Sequence, residues 1–523
     1  MTWATAQDAV VEDPPMDGPV LDARMAEHMF NRFGFGVGPE ELQTAIGLRS
    51  TELFDRWVEA SRPPDAPEPE YHAYLEYGSD ANGQEIAGAP ILLLPLEEQV
   101  ARRAALRLTD RRQFRKYIDE LLTEFVSGRD PLRDRMTLFW HGFFPTSSKV
   151  CLRRFELILQ GHFLRSNALG GFDDLLRGIV KDAAMLGYFD NDTNSKTHPN
   201  ENFARELLEL YSLGVGNYSE TDVREAARTL TGFQGESGRF VFDEDLHDFG
   251  EKTLFGQTGN FDGGDLVEIL LQQEACSTYV ARRMLTWMEG LEPEPERLRG
   301  YALRLRELEY EITPWLRSLA ADPAFFRSEV MGTRVQGPID YLVGASRRLE
   351  VQGRETFLFF AAAAAGQQLW GPPSVKGWDE GLAWITSSTM STRGNCIGLL
   401  IGHLQGHDER VEDGVALSPE DGALLNRMVI DLRARGLRQP NLLKAARKAL
   451  SARAVDEQIV SWVTESFLAR APMGSTLESL TEELAASRQR SGIEGPLLAS
   501  SQANEILCHL AYILLRMPIA QLG

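Results

Sequence analysis

Asp190 to Phe233 reads DNDTNSKTHPNENFARELLELYSLGVGNYSETDVREAARTLTGF. Pro199 fixes φ just ahead of Glu201, which predicts a helix that starts at Asn200 or the residue before it. At about 100° per residue, Phe203, Ala204, Leu207, Leu208, Leu210 and Tyr211 fall on one face. Asn202, Arg205, Glu206, Glu209 and Ser212 fall on the other. Gly214 stands where a C′ glycine ends a helix. Ser219 followed by Asp222 forms a capping box, which opens a second helix with Val223, Ala226, Ala227 and Leu230 as its apolar face. Two amphipathic helices in tandem point to helix packed on helix, and so to an all-α fold.

The polar residues of this stretch admit two readings. With Asp190 as position one, Asp192 is third, Asn194 fifth, Lys196 seventh, His198 ninth and Glu201 twelfth. That is the oxygen-ligand spacing of an EF-hand loop, so Asp190, Asp192, Asn194 and Glu201 are candidate ligands for a divalent metal, calcium or a transition metal. Ser195 occupies the position where such a loop turns on glycine, and Pro199 interrupts its last third. Both favour an Asx-rich turn that caps the next helix. Glu206 and Glu209 lie three apart, as do Asp222 and Glu225. Carboxylate pairs on facing helices can hold two metals, but the ExxH histidines of such sites are missing here. Arg205, Arg224 and Arg228 nearly balance these acids, the composition of an interhelical ion-pair network.

Working outward, RDPLRDRMTLFWHGFF predicts a helix with Leu132, Met136, Phe139 and Trp140 inward and His141 at its end, a candidate ligand or acid–base group. Downstream, GRFVFDEDLHDFGEKTLFG alternates apolar and polar residues at Phe240–Phe242 and near Thr253–Phe255, which predicts one small hairpin or extended arm. Between them stands His247-Asp248, a histidine beside a carboxylate on a loop and the chain's best candidate dyad. Lys252 is the nearest cation for an anionic substrate group. Further on, GPPSVKGWDEGLAWI at Gly371–Ile385 is a rigid loop. Trp370, Trp378 and Trp384 cluster there, and they either line a carbohydrate or aromatic pocket or plug the core.

These motifs, together with HMFNRFGFG at His28–Gly36, resemble in content and order the bacterial family known as domain of unknown function 1800. The resemblance covers about the first 400 residues and carries no established function. It implies that His28 and Arg32 belong to the family pattern and face a pocket. The family commonly has a second histidine soon after the tryptophan of the His141 motif. Gly142 and Phe143 follow here instead, a departure from any two-histidine metal site at that place.

The 523 residues allow two to four domains. The reading is a flexible arm over 1–21, a helical core over 22–403 and a C-terminal helical extension over 404–523. A long surface excursion is expected from Arg62 to Pro95, rich in proline, glycine and acids, and a strongly patterned helix from Leu96 to Val126. Net charge is −22, which argues against nucleic acid as a partner. The longest apolar run, Phe357–Ala365, is too short for membrane insertion. The N-terminal stretch lacks the basic and apolar regions of a signal peptide, so the expected compartment is the cytoplasm, although relatives are often exported. The four cysteines are far apart and read as buried free thiols. No phosphate-binding loop, nucleophile elbow or HExxH helix occurs.

Two function classes follow. One is a metal-assisted enzyme with a single pocket gathering His141, Asn200, Glu201, Glu206, His247 and Asp248, with Arg32, Asn200, Lys252 and Trp378 touching substrate. The other is a non-catalytic helical binding or assembly protein, acting on a small molecule or another protein, whose polar motifs are caps and ion pairs.

Overall fold

The computed structural model describes residues 17–63, 95–402 and 439–523, apart from 152, 237, 471 and 473, together with 427 and 430. The expected N-terminal arm up to residue 16, most of the Arg62–Pro95 excursion and the acidic run after residue 403 lie outside the described residues. The rest is predominantly helical, as the periodicity predicts. Two small antiparallel hairpins, Phe233–Glu236 with Arg239–Phe242 and Lys252–Leu254 with Gln257–Gly259, are the only sheets among the described residues. The sequence predicted one; the alternation is real in both places, and a turn carrying His247 separates them.

The central stretch folds largely as its pattern dictates. A helix spans Glu201–Glu209 with Asn200 as N-cap, its side chain accepting from the Asn202 N–H. Every residue of the predicted apolar face is buried. The helix stops before Gly214, however. Tyr211 and Leu213 send their N–H groups five residues back, to the Glu206 and Leu208 carbonyls. The Ser212 hydroxyl takes the Leu207 carbonyl at 2.6 Å. This wide turn satisfies the last carbonyls without the glycine. The Ser219–Asp222 capping box is formed and opens the helix Glu220–Thr229, with Val223, Ala226, Ala227 and Leu230 sealed against the core. The residues from Phe172 onward form two helices, Phe172–Ile179 and Ala183–Tyr188, because the Asp182 side chain caps the Met185 N–H at 2.8 Å.

Apolar packing divides into two cores. One gathers helices from the N-terminal half and reaches Val330. The other joins Phe114–Val126, the helix Pro338–Arg348, the helix Ser387–Ile401 and the C-terminal helices between Leu442 and Arg516. The residues beyond 438 therefore share a core with segments far upstream. The helix Pro131–Phe143 lies between the two: Leu132, Met136, Phe139, Trp140 and Phe143 enter the first, and Leu138 enters the second. Trp287 and Tyr188 pack against both, which marks the seam. All four cysteines are free and buried. No helix among the described residues is long and apolar enough to cross a membrane.

Candidate functional site

The calcium-like loop is closed by its own polar groups. The Asn194 side chain is fully buried; its amide donates to Asn191 Oδ1 at 3.2 Å and to the Ala227 carbonyl at 3.0 Å. Its oxygen accepts from the Asn200 N–H at 2.9 Å. Asn200 in turn donates to the Asp190 carbonyl at 3.0 Å. Asp192 accepts from the Gly235 N–H at 2.9 Å, pinning the first hairpin. Glu201 pairs with Arg205 at 3.1 Å, and Arg205 also holds Glu220. Among the described residues no group of three or more His, Cys, Asp or Glu side chains is arranged to hold a metal ion.

His247 and Asp248 turn away from each other. The His247 ring is buried between Phe242 and Phe249, with Nδ1 2.7 Å from the Thr231 carbonyl, which fixes the Nδ1–H tautomer. Asp248 accepts from Arg228 Nε at 2.7 Å and from the Gly250 N–H at 2.8 Å. Lys252 is buried, and its ammonium caps the Asp248 and Gly250 carbonyls of the same turn. The expected dyad and its cation thus form one satisfied corner. Arg228, shared between Asp248 and Glu225, ties that corner to the helix Glu220–Thr229.

His141 has other neighbours. It is buried at the end of the helix Pro131–Phe143, its ring centroid 4.3 Å from Trp370 and 5.1 Å from Trp378. Nε2 accepts from the Trp370 N–H at 3.1 Å, so the proton sits on Nδ1, which has no partner. Burial pushes its pKa down to about 3, and the ring is neutral at ordinary pH. The tryptophan loop is clamped on this helix end. Gly377 has φ +87, and a Cβ there would stand 2.7 Å from the Gly142 carbonyl. Tyr211 of the central stretch reaches Val375 of the same loop at 3.4 Å. Glu206 faces the loop's Lys376 across half-buried space; burial and neighbouring Glu209 raise its pKa. His141, Trp378 and, at the loop's other side, Glu206 therefore belong to one neighbourhood. Asn200, Glu201, His247 and Asp248 share none of these contacts.

A cleft of about 220 Å³ opens beside the loop, at the seam of the two cores. Trp287, Trp378 and Trp384 form its aromatic wall; Gly142, Arg334 and Gln367 complete it, and Asp379 and Glu380 stand on its exposed lip. Trp370 is instead a core residue, 1% exposed. The indole N–H groups of Trp287 and Trp378 and the Thr286 hydroxyl are buried at the wall without a partner. The guanidiniums of Arg135 and Arg334 lie 4.7 and 4.6 Å from the Trp287 ring centre, and of the two only Arg334 lines the cleft. Both also bind Asp340, Arg334 at 2.7 Å. Arg32 is sealed deeper, donating to the Val330 carbonyl at 2.6 Å, and does not reach the cleft. His28 is likewise buried, against Phe325 and Phe326.

The sequence leaves Trp370, Trp378 and Trp384 either lining a pocket or plugging the core, with Trp378 as the substrate candidate, and gives no role to Trp287, Arg334, Arg135 or Asp340. One signal was present: Arg133, Asp134 and Arg135 sit in a helix whose residues are almost all buried, and charges placed there need a dedicated partner.

The model of the family described as "Protein of unknown function (DUF1800)" matches residues 28–521. The chain belongs to that family. The DUF1800 match runs well past residue 400, where the motifs fade to the eye, and takes in the helices that complete the second core. No curated protein and no solved structure matches the chain. The DUF1800 span holds both the closed polar corner and the open cleft, and among the described residues only the second has buried side-chain groups without a partner in its lining.

Proposed function

We propose that the chain is a binding protein whose site is the tryptophan cleft, and that it takes one ring-sized, hydroxyl-bearing molecule such as a sugar unit. The observation that carries this is the wall itself: three indoles around a cleft, with two indole N–H groups and a hydroxyl lacking acceptors. Indole faces cover the apolar face of a ring, and unpaired buried donors cost free energy that a small shift of the wall onto a bound acceptor would recover. The volume lies below the roughly 300–1,000 Å³ of drug-sized pockets, which suits a single ring. The enzyme reading loses support because His247, Asp248, Asp192 and Glu201 are held in turns, caps and ion pairs, which leaves Glu206 and His141 without the rest of their expected set.

Titration with a panel of monosaccharides, followed by tryptophan fluorescence, tests this. Saturable quenching by at least one sugar is expected. Trp378→Ala should weaken it tenfold or more, about 1.4 kcal/mol, with little change in melting temperature. Absence of saturable quenching across the panel, together with a stoichiometric metal in elemental analysis, would return the metal-assisted enzyme to first place.

A further inference from the structure

Resting on that reading of the cleft, we infer that its ligand carries an anionic oxygen group, a carboxylate, received by Arg334. The argument is one of unbalanced buried charge. Arg32, Arg135, Arg334 and Arg393 are all buried, and Asp340 is the acid their fields share. The next acid, Glu289, is held by Arg297, which also binds Asp322 at 2.5 Å. Four buried guanidiniums thus face two buried carboxylates, and one of these, Glu289, is already held by the partly exposed Arg297.

The hydrogen bonds show the same deficit. Nε and Nη1 of Arg32, Nε and Nη2 of Arg135, and Nε and Nη2 of Arg393 are buried with no acceptor. Burial and mutual repulsion lower the pKa of Arg135 to about 10. A buried group with unmet charge and unmet donors costs stability, a cost that an added opposite charge would relieve.

Arg334 is where that charge can enter. It alone of the four lines the cleft, and through Asp340 and the Trp287 ring it is coupled to Arg135. An anionic group beside it would be attracted by the whole buried set, weakly screened because water is excluded. Asp379 and Glu380 on the lip are exposed, so their opposing field is screened by solvent. A guanidinium also matches a carboxylate in shape, as a fork of parallel donors. The ring stacks on tryptophan and its acid group meets Arg334: the chemistry is that of a uronic acid rather than a neutral sugar.

Calorimetric titration of the full chain with glucuronate, glucose and inorganic sulfate tests this. Glucuronate should bind at least tenfold tighter than glucose. Arg334→Gln should erase the difference, and Arg334→Lys should keep part of it. Should Arg334→Gln not fold, the wild-type chain still decides: sulfate should compete with glucuronate and not with glucose. Equal affinity for glucuronate and glucose, both lost in Trp378→Ala, would overturn the anion inference and leave the cleft reading standing. Sulfate binding that glucuronate does not displace would mean a free inorganic anion site, and would overturn the inference too. No binding of any probe would overturn both.

Discussion

The corner around Asn194 and the cleft around Trp287 are both rich in polar groups, and they differ in one respect. In the corner, the side chains that look functional have found partners: Asn194 in three hydrogen bonds, Asp248 on Arg228, Lys252 on two carbonyls. At the cleft wall, the indole N–H groups of Trp287 and Trp378 are buried without acceptors, and Arg135, packed on the Trp287 ring, has two more unpaired donors. Satisfied buried polar groups hold a fold in one conformation, whereas unsatisfied ones cost stability and persist where something else binds. A dense polar motif is thus weaker evidence of function than a sparse unsatisfied one.

The largest expected effect sharpens this contrast. Asn194→Ala removes three hydrogen bonds and strands the Ala227 carbonyl, the Asn200 N–H and Asn191 Oδ1. At roughly 1 kcal/mol per lost bond, and more for each buried group left unpaired, the loss should be about 3–5 kcal/mol in urea unfolding. A loss under about 1 kcal/mol would mean that the corner is not the structural clasp described.

The second prediction concerns pH at the cleft's inner wall. His141 has its pKa lowered to about 3 by burial, from 6.5 when unfolded. The folded state therefore refuses a proton that the unfolded state accepts. Its contribution to stability is full above pH 6.5 and is lost progressively as pH falls toward 3. Two units below the unfolded pKa, this amounts to about 2–3 kcal/mol. His141→Gln keeps an acceptor for the Trp370 N–H but does not titrate. The variant should lose less stability than wild type between neutral pH and pH about 4.5. Equal losses would show that the folded protein protonates His141 and that the wall behind Trp378 is open to water.

The helices were legible because burial imposes a period that the chain must obey, and the face from Phe203 to Tyr211 is sealed residue for residue. The capping box was legible because it is local. The dyad was not: adjacency of His247 and Asp248 says nothing about where their side chains turn, and their partners are Thr231 and Arg228, well back in the chain. The cleft was half legible. Trp378 and Trp384 sit in a loop broken by proline and glycine, but Trp287 lies within the helix Glu274–Glu289, where a tryptophan reads as core. Buried arginines look in sequence like surface ones, and only packing shows that Arg32, Arg135 and Arg334 converge near one aspartate.

That convergence yields a smaller effect. Arg32→Met removes a bond to the Val330 carbonyl but also one buried positive charge and two unpaired nitrogens. A well-packed apolar residue in place of an uncompensated buried charge is often neutral or stabilising. Stability should change by less than about 1 kcal/mol, toward gain, against the large loss for Asn194→Ala. A loss above about 3 kcal/mol in ligand-free protein would mean that the arginine set is already balanced, and the contrast between the two regions would weaken.

The smallest effect is expected at Asp190, the first residue of the calcium-like spacing. Its backbone is left-handed, with φ +55, a conformation that asparagine tolerates as well as aspartate. The structural role it plays is carried by its carbonyl, which accepts from Asn200 and Thr193. Asp190→Asn should therefore change stability by less than about 0.5 kcal/mol. Calcium supplies the discriminating arm. A ligand that binds only the native state raises the melting temperature, and more so as its concentration exceeds the dissociation constant. For the loop to bind calcium, Asp192 would have to leave the Gly235 N–H and Glu201 would have to leave Arg205, undoing the tie to the hairpin and one arm of the pairing with Glu220. Millimolar calcium should accordingly leave the melting temperature of metal-stripped wild-type protein unchanged. A calcium-dependent rise that Asp190→Asn abolishes would show that the loop rearranges to take the ion, and the corner would then be a site as well as a clasp.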